Sequence, residues 1–275
     1  MLERDRLRLV IRAAATVSVS EAEFVRRVRC AGVVIWPRSY QAHAGVSGYV
    51  MEVVVGAGRT HHDTDLDADL ALSVMRNDWV GSTAARAQSV KEWRGLRGHG
   101  FFDREDVTFT HRVTWVRMFA DAGRFNTYLR SVPECDRARW AWAAGRLSGV
   151  LALWAMRTVG TAPSVALKAA ASELARSAQI DIHTQRSPRN TPSRLTIVAT
   201  GLAQLQRDAD GDPAREALLL LVQVIGAVVD IAKAHRRRGE LTEALALTNV
   251  SGPLSEWSRQ LHRRACDGSV GDAQL

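Results

Sequence analysis

The feature that most restricts this chain is where its strand-like sequence stops. Val33-Val34-Ile35-Trp36 is β-branched and aromatic and is followed by Pro37. Tyr49, Met51, Val53 and Val55 then alternate with Val50, Glu52 and Val54, the period-two pattern of a strand. The connection from Arg38 to Gly48 is polar and carries two glycines, so the pair reads as a β-hairpin with a long tip. A two-stranded hairpin is marginal alone and must lean on a helix. Beyond it the strand signal all but vanishes. The expected fold class is therefore mainly α: a small N-terminal α-α-β-hairpin-α module followed by a helical bundle.

Helical periodicity supplies the rest. Leu2 to Ala15 has Leu7, Ile11 and Ala14 at helical spacing. Ser20 opens a second helix, with Glu23 where a capping box wants it and Gly32 just past the end. Thr64, with Asp67 three residues on, predicts a capped helix running to about Trp79. These elements make a module over residues 1–80. Residues 81–109 read as a linker region, helical from Ser82 to Leu96 and then a basic, glycine-rich loop from Arg94 to Gly100. Helices are expected at about 110–122, 124–131, 136–158, 163–180, 192–209, 213–238, 240–247 and 253–266, forming a bundle over 110–266 with a flexible tail at 267–275. Trp140, Ala144, Leu147, Leu151 and Trp154 make one apolar stripe, and Pro163, Pro192 and Pro213 each open a helix. Ala217 to Ala232 is apolar on nearly every face, which predicts the central helix of the bundle. Gln223 and Asp230 interrupt it, and it falls short of the ~20 apolar residues of a membrane span, so no span is expected. No internal repeat is present.

Charge narrows the partners. The 275 residues carry 37 Lys and Arg against 29 Asp and Glu, a formal net charge of +8. Only Lys91, Lys168 and Lys233 are lysines; part of the arginine bias reflects codon usage in a GC-rich genome. The excess still creates a field that attracts phosphate backbones. Cys30, Cys135 and Cys266 stand far apart without a CxxC pair, which argues against a disulfide framework or structural zinc and for a reducing compartment. The start, Met-Leu-Glu-Arg-Asp-Arg, does not read as a secretion signal. A cytoplasmic location is expected.

The densest set of potential ligands is His61-His62-Asp63-Thr64-Asp65-Leu66-Asp67-Ala68-Asp69. An extended loop could wrap these around a divalent metal, whereas a helix would turn Asp67 away from Asp65 and Asp69. Aspartates in a first helical turn are also what the helix dipole favours, and capping is the preferred reading. The histidines at 43, 99, 111, 183, 235 and 262 form no HExxH, the serines no GxSxG elbow, and Gly56-Ala-Gly58 is too short for a phosphate loop. Tyr40 lies near the hairpin tip with nothing beside it to activate a nucleophile. No catalytic residue, metal ligand or cofactor is expected.

Arginine clusters are the stronger candidates. Arg4, Arg8 and Arg12 fall at i, i+4 and i+8 on the first helix, Arg26, Arg27 and Arg29 lie on the second, and Arg38 stands on the hairpin. Together they predict a continuous cationic surface that straddles a DNA backbone, with the hairpin as a wing. Arg94 and Arg97 add to the loop. Arg236-Arg237-Arg238 closes a long helix, where the C-terminal dipole already explains cations.

Ser20 to Val34, then Pro37-Arg38-Ser39, Gly48-Tyr49-Val50 and Asp69-Leu70 leading to Trp79, resemble a stretch of relaxases (mobilisation nucleases) of actinobacterial plasmids and integrative elements. Trp140 through Ala175 and Ala214 to Arg238 resemble the alanine-rich helical tail of the same family. That family needs a nucleophilic tyrosine and a metal-binding histidine triad in an N-terminal domain, and no residue here matches them. The resemblance implies a relaxase C-terminal region, encoded alone or as a remnant, with a non-catalytic role in conjugative transfer. Its partners would be DNA, through phosphate contacts, and a relaxase or coupling protein. Two other readings stay open: a metal-dependent nuclease using the His61–Asp69 cluster, and a helical protein–protein scaffold. Oligomeric state is not set by the sequence.

Overall fold

A computed structural model describes residues 3–41, 45–53, 60–79, 81–95, 115–179, 195–204 and 213–271. The chain is mainly α-helical with one small sheet near its start. Helix α1 spans Glu3–Val17 and α2 spans Glu21–Cys30. Ser20 caps α2 by accepting from the Glu23 amide at 3.2 Å, while Glu23 reaches back to the Val19 amide at 2.9 Å. Gly32, at φ +77°, turns the chain out of the helix and into the sheet.

Strand β1 (Val33–Gln41) pairs antiparallel with β2 (Gly45–Val53), and β2 pairs with the short β3 (His61–His62). Pairing continues to Gln41↔Gly45, so the hairpin extends well past Arg38 and Gly48, where the sequence indicated a loose tip. Pro37 fits because β1 is the edge strand, where a missing N–H breaks no central ladder. Val54, Val55 and Gly56-Ala-Gly58 lie outside the described residues.

The expected helix from Thr64 to Trp79 is replaced by short turns: 3-10 turns at Asp63–Asp65 and Ala68–Leu70, then α3 (Leu72–Met75), then another 3-10 turn at Arg76–Asp78. Ala71 is extended, at φ −59° and ψ 138°, which interrupts any continuous helix. Asp67 and Asp69 face α1 instead of capping, as described below.

Helix α4 (Thr83–Arg94) occupies the first half of the expected linker and packs on α2. Its Trp93 is buried and donates its indole N–H to Glu21 at 2.7 Å. The rest of that segment, with Arg97, lies outside the described residues.

Helices α5 (Trp115–Ser131), α6 (Arg137–Arg157), α7 (Ala162–Ser177), α8 (Thr196–Gln204), α9 (Pro213–Arg237) and α10 (Leu241–Gly271) form the bundle. The predicted stripe from Trp140 to Trp154 is buried throughout. Two expected breaks do not occur. Helix α5 runs through Gly123, and α10 runs through Gly252 and Pro253. Leu247, Val250, Leu254, Trp257 and Leu261 all join the core, spaced three and four residues apart, so the apolar stripe keeps its phase across the proline.

Helix α9 buries Leu220, Leu221, Val224, Val228 and Ile231 but leaves Leu219 46% and Val222 51% exposed, so it is not surrounded on every side. Ala217–Arg237 is long and apolar enough to cross a membrane by length and composition, and 44% of its most apolar stretch is buried inside the fold.

Two apolar cores meet along α1. Leu7, Val10 and Ile11 pack with the hairpin and α2, while Leu9, Ala13 and Val17 pack with the bundle. Gly149 on α6 makes the close crossing possible, since a Cβ there would lie 2.8 Å from the Arg12 carbonyl oxygen and against Thr16.

Candidate nucleic-acid interface

Arginines of the first module do not form the expected open cationic surface. Arg12 is buried, its side chain 3% exposed. It donates to Asp67 at 2.7 Å and to both carboxylate oxygens of Asp69. Burial disfavours its charge, but Asp69 and Asp67 outweigh that and hold the guanidinium ionised more firmly than usual. Arg8 approaches Asp67 at 3.3 Å and donates to the Leu66 carbonyl at 3.1 Å, and Arg4 donates to the Asp65 carbonyl.

The second cluster is paired as well. Arg26 and Arg29 each reach Glu92 of α4 at 2.9 Å, and Arg27 pairs with Glu23 one turn back. Arg29 is sufficiently desolvated that its pKa falls below the ordinary arginine value, with Glu92 opposing the shift. Arg38 lies 3.4 Å from buried Asp63, and the pair crosses Gly48 so closely that a Cβ there would sit 2.7 Å from the carboxylate.

The physical reason is proximity. The turns after β3 lay four aspartates along α1 and the hairpin, so their charge answers the arginines instead of capping a helix. Asp65 alone retains a local role, accepting from the His62 amide at 2.9 Å. Among the described residues no group of three or more His, Cys, Asp or Glu is placed to hold a metal. Tyr49, read from the sequence only as a strand residue, anchors the same seam: its buried hydroxyl donates to the Leu70 carbonyl at 2.8 Å. Arg146 of α6 is a second missed residue, donating to the carbonyls of Ala15 and Thr16 at 3.3 and 2.8 Å where α1 ends. Its spacing inside an apolar helix gave no signal beyond an arginine next to the stripe.

Charge counting places the excess elsewhere. Residues 1–95 hold 13 Lys and Arg against 11 Asp and Glu, so only +2 of the net +8 belongs to this module. A larger imbalance lies where the turn between α5 and α6 meets the end of α9. Arg130, Arg137, Arg139, Lys233, Arg236, Arg237 and Arg238 gather there around four carboxylates, Glu134, Asp136, Asp230 and Glu240. Arg130 and Lys233 share Asp230 at 3.5 and 3.6 Å, and Arg237 pairs with Glu134. Side chains of Arg130, Arg137, Lys233 and Arg237 are 69%, 66%, 60% and 62% exposed, so they keep most of their hydration and remain open to an anion. Arg236 is exposed and has no ion-pair partner among the described residues. The α9 carbonyl end offsets roughly half a charge of this excess. A groove of about 270 Å³, lined by Arg130, Trp140, Lys233 and Arg237 among others, runs through the cluster.

No family model, curated protein or solved structure matches the chain.

Proposed function

We propose that this protein is a module of relaxase-associated DNA mobilisation that supplies none of the nuclease chemistry, contacting the DNA backbone through the basic end of its helical bundle. The first module acts as the scaffold that completes the bundle. One observation carries this reading: seven cations, of which only Arg238 is largely buried, stand around four carboxylates at the α5–α9 end, while Arg4, Arg8, Arg12, Arg26, Arg27, Arg29 and Arg38 are held by acids and carbonyls of their own module. Guanidinium and ammonium groups disposed this way neutralise phosphates without reading sequence. The mobilisation context rests on the resemblance of the segments around Ser20–Val34 and Trp140–Ala175 to relaxases.

The test is a mobility-shift titration with duplex and single-stranded DNA at rising salt. Binding should weaken steeply with salt, and replacing Arg130, Lys233, Arg236 and Arg237 by Gln should remove up to four phosphate contacts, flattening the log–log salt slope by roughly 3 to 4. Arg26→Gln should leave it unchanged. An absence of binding at low salt, or a slope indifferent to the four substitutions, overturns the reading.

A second reading, docking to a relaxase or coupling protein, is favoured by Leu219 and Val222 on α9 and by Leu241 and Leu245 on α10, the last pair 65% and 60% exposed. Val222→Asp separates the two, since it should abolish capture of the purified relaxase and spare DNA binding.

A further inference from the structure

We propose that Ser177, His235 and Glu240 form a base-activated serine that accepts an acyl group from small activated esters. The three side chains come from three places in the chain and meet at one edge of the bundle. Ser177 is the last residue of α7, and His235 lies in the last turn of α9. Gly239, at φ +78°, lets the chain reverse tightly, so that Glu240 returns beside His235 as α10 begins.

The geometry is that of nucleophile, base and orienter. The Ser177 hydroxyl lies 2.6 Å from His235 Nε2, and His235 Nδ1 lies 2.6 Å from Glu240 Oε2. Nδ1 lies closer to the Glu240 carboxylate, at 2.6 Å, than to the Arg238 guanidinium, at 3.1 Å, and the nearer acceptor favours the tautomer in which Nδ1–H donates to Glu240 and the Nε2 lone pair faces the hydroxyl. Glu240 is itself held by Arg238 Nε at 2.9 Å and by Arg137 at 2.6 Å. Burial would raise its carboxyl, yet the hydrogen bonds from Arg238 and His235 win and keep it ionised below the usual range. His235 is only 6% exposed, and burial keeps the imidazole neutral, the form a base requires. Ser177 is partly exposed, and the proposal requires that a small ester reach its Oγ.

The step balances without a co-reactant. Oγ attacks the ester carbonyl carbon as its proton passes to Nε2, forming the Oγ–C bond. The bond from carbon to the leaving phenolate oxygen breaks, and the imidazolium returns the proton to that oxygen. Water then attacks the acyl carbon, giving its proton to Nε2, and the serine oxygen leaves and takes that proton back.

The surroundings also set the substrate class. Amides just after Ser177 are already committed, Ala178 to the carbonyls of Leu174 and Ala175 and Gln179 to that of Arg176, at 3.0 to 3.2 Å. They are not available to an oxyanion, whose stabilisation by one donor is worth about 100- to 1000-fold. Only esters with a good leaving group should therefore react, and acylation should outrun turnover.

The experiment treats the purified full chain with a fluorophosphonate probe and with p-nitrophenyl acetate, and maps the modified peptide by mass spectrometry. It uses no DNA, so its result is independent of the proposed function. Modification should fall on Ser177 and vanish in Ser177→Ala. It should slow by about 100-fold or more in His235→Gln, the scale of a lost general base, and less in Glu240→Gln. Melting curves of each variant show whether the fold persists. No modification of Ser177 in the unaltered chain overturns the proposal, as does a rate that His235→Gln leaves unchanged while the variant remains folded.

Discussion

The seam between α1 and the hairpin and the α5–α9 end of the bundle use arginine in opposite ways. Around α1 and the hairpin, Arg12 and Arg29 are 3% and 5% exposed and are answered by Asp67, Asp69 and Glu92. At the α5–α9 end, Arg130 and Arg237 are 69% and 62% exposed, Arg130 beside an acid it shares with Lys233 and Arg237 beside Glu134. A desolvated guanidinium is costly unless paired and hydrogen-bonded, so the buried set is structural by necessity. A hydrated one gains little from its pair and remains available to an anion. What separates the two regions is the spacing of acids relative to the basic residues, more than the number of basic residues.

The largest break in this comparison comes from Arg12. Arg12→Ala removes the one guanidinium among the described residues that touches both Asp67 and Asp69 and leaves two poorly solvated carboxylates, which should cost about 3–5 kcal/mol. Chemical denaturation checks it, and a loss under 1 kcal/mol would mean that the seam is not a structural pair. Next is Gly149→Ala, where the added Cβ meets Thr16 and the Arg12 backbone at the α1–α6 crossing. Overpacking of this kind costs about 1–3 kcal/mol, because a backbone atom must move. If the melting temperature does not fall, the two helices are further apart than described.

Much of the architecture was legible in the sequence because periodicity is local. The Trp140–Trp154 stripe, the Ser20 cap with Glu23, the hairpin and the long α9 all follow from residues within a turn or a strand of one another. Helix 64–79 was not legible, since aspartates after a threonine satisfy the same local rule whether they cap a helix or face α1 from more than fifty residues away. Arginine clusters were misjudged for the same reason: spacing shows which side of a helix they occupy but not which carboxylates wait opposite. Ser177, His235 and Glu240 carry no motif, because the contact that unites them spans 58 residues.

Acid should sharpen the contrast between pairs that titrate and those that do not. Burial lowers His235 below its ordinary 6.5, and its partners hold Glu240 below 4.5. Both groups bind protons more readily in the unfolded chain, so their stabilisation is present above the unfolded values and is lost as pH falls through the folded ones. Melting temperature should therefore decline from about pH 6.5 downward for His235, before Glu240 begins to contribute. His235→Gln should remove the first part of that decline. An unchanged profile in the variant would show that His235 titrates alike in both states.

The smallest expected effect is the most discriminating. Arg130→Gln and Arg236→Gln act on solvated side chains, one beside an acid at 3.5 Å and the other without an ion-pair partner among the described residues. Exposed pairs contribute about 0–1 kcal/mol, so both variants should melt within a degree or two of the unaltered chain. Arg29→Gln should cost more, since it strips the buried partner from Glu92 and leaves Arg26, 33% exposed, as the remaining counterion. The ordering of these three carries the argument. If Arg236→Gln proved as damaging as Arg29→Gln, the basic end of the bundle would be held together by contacts of its own, and its charge would no longer be open to phosphate.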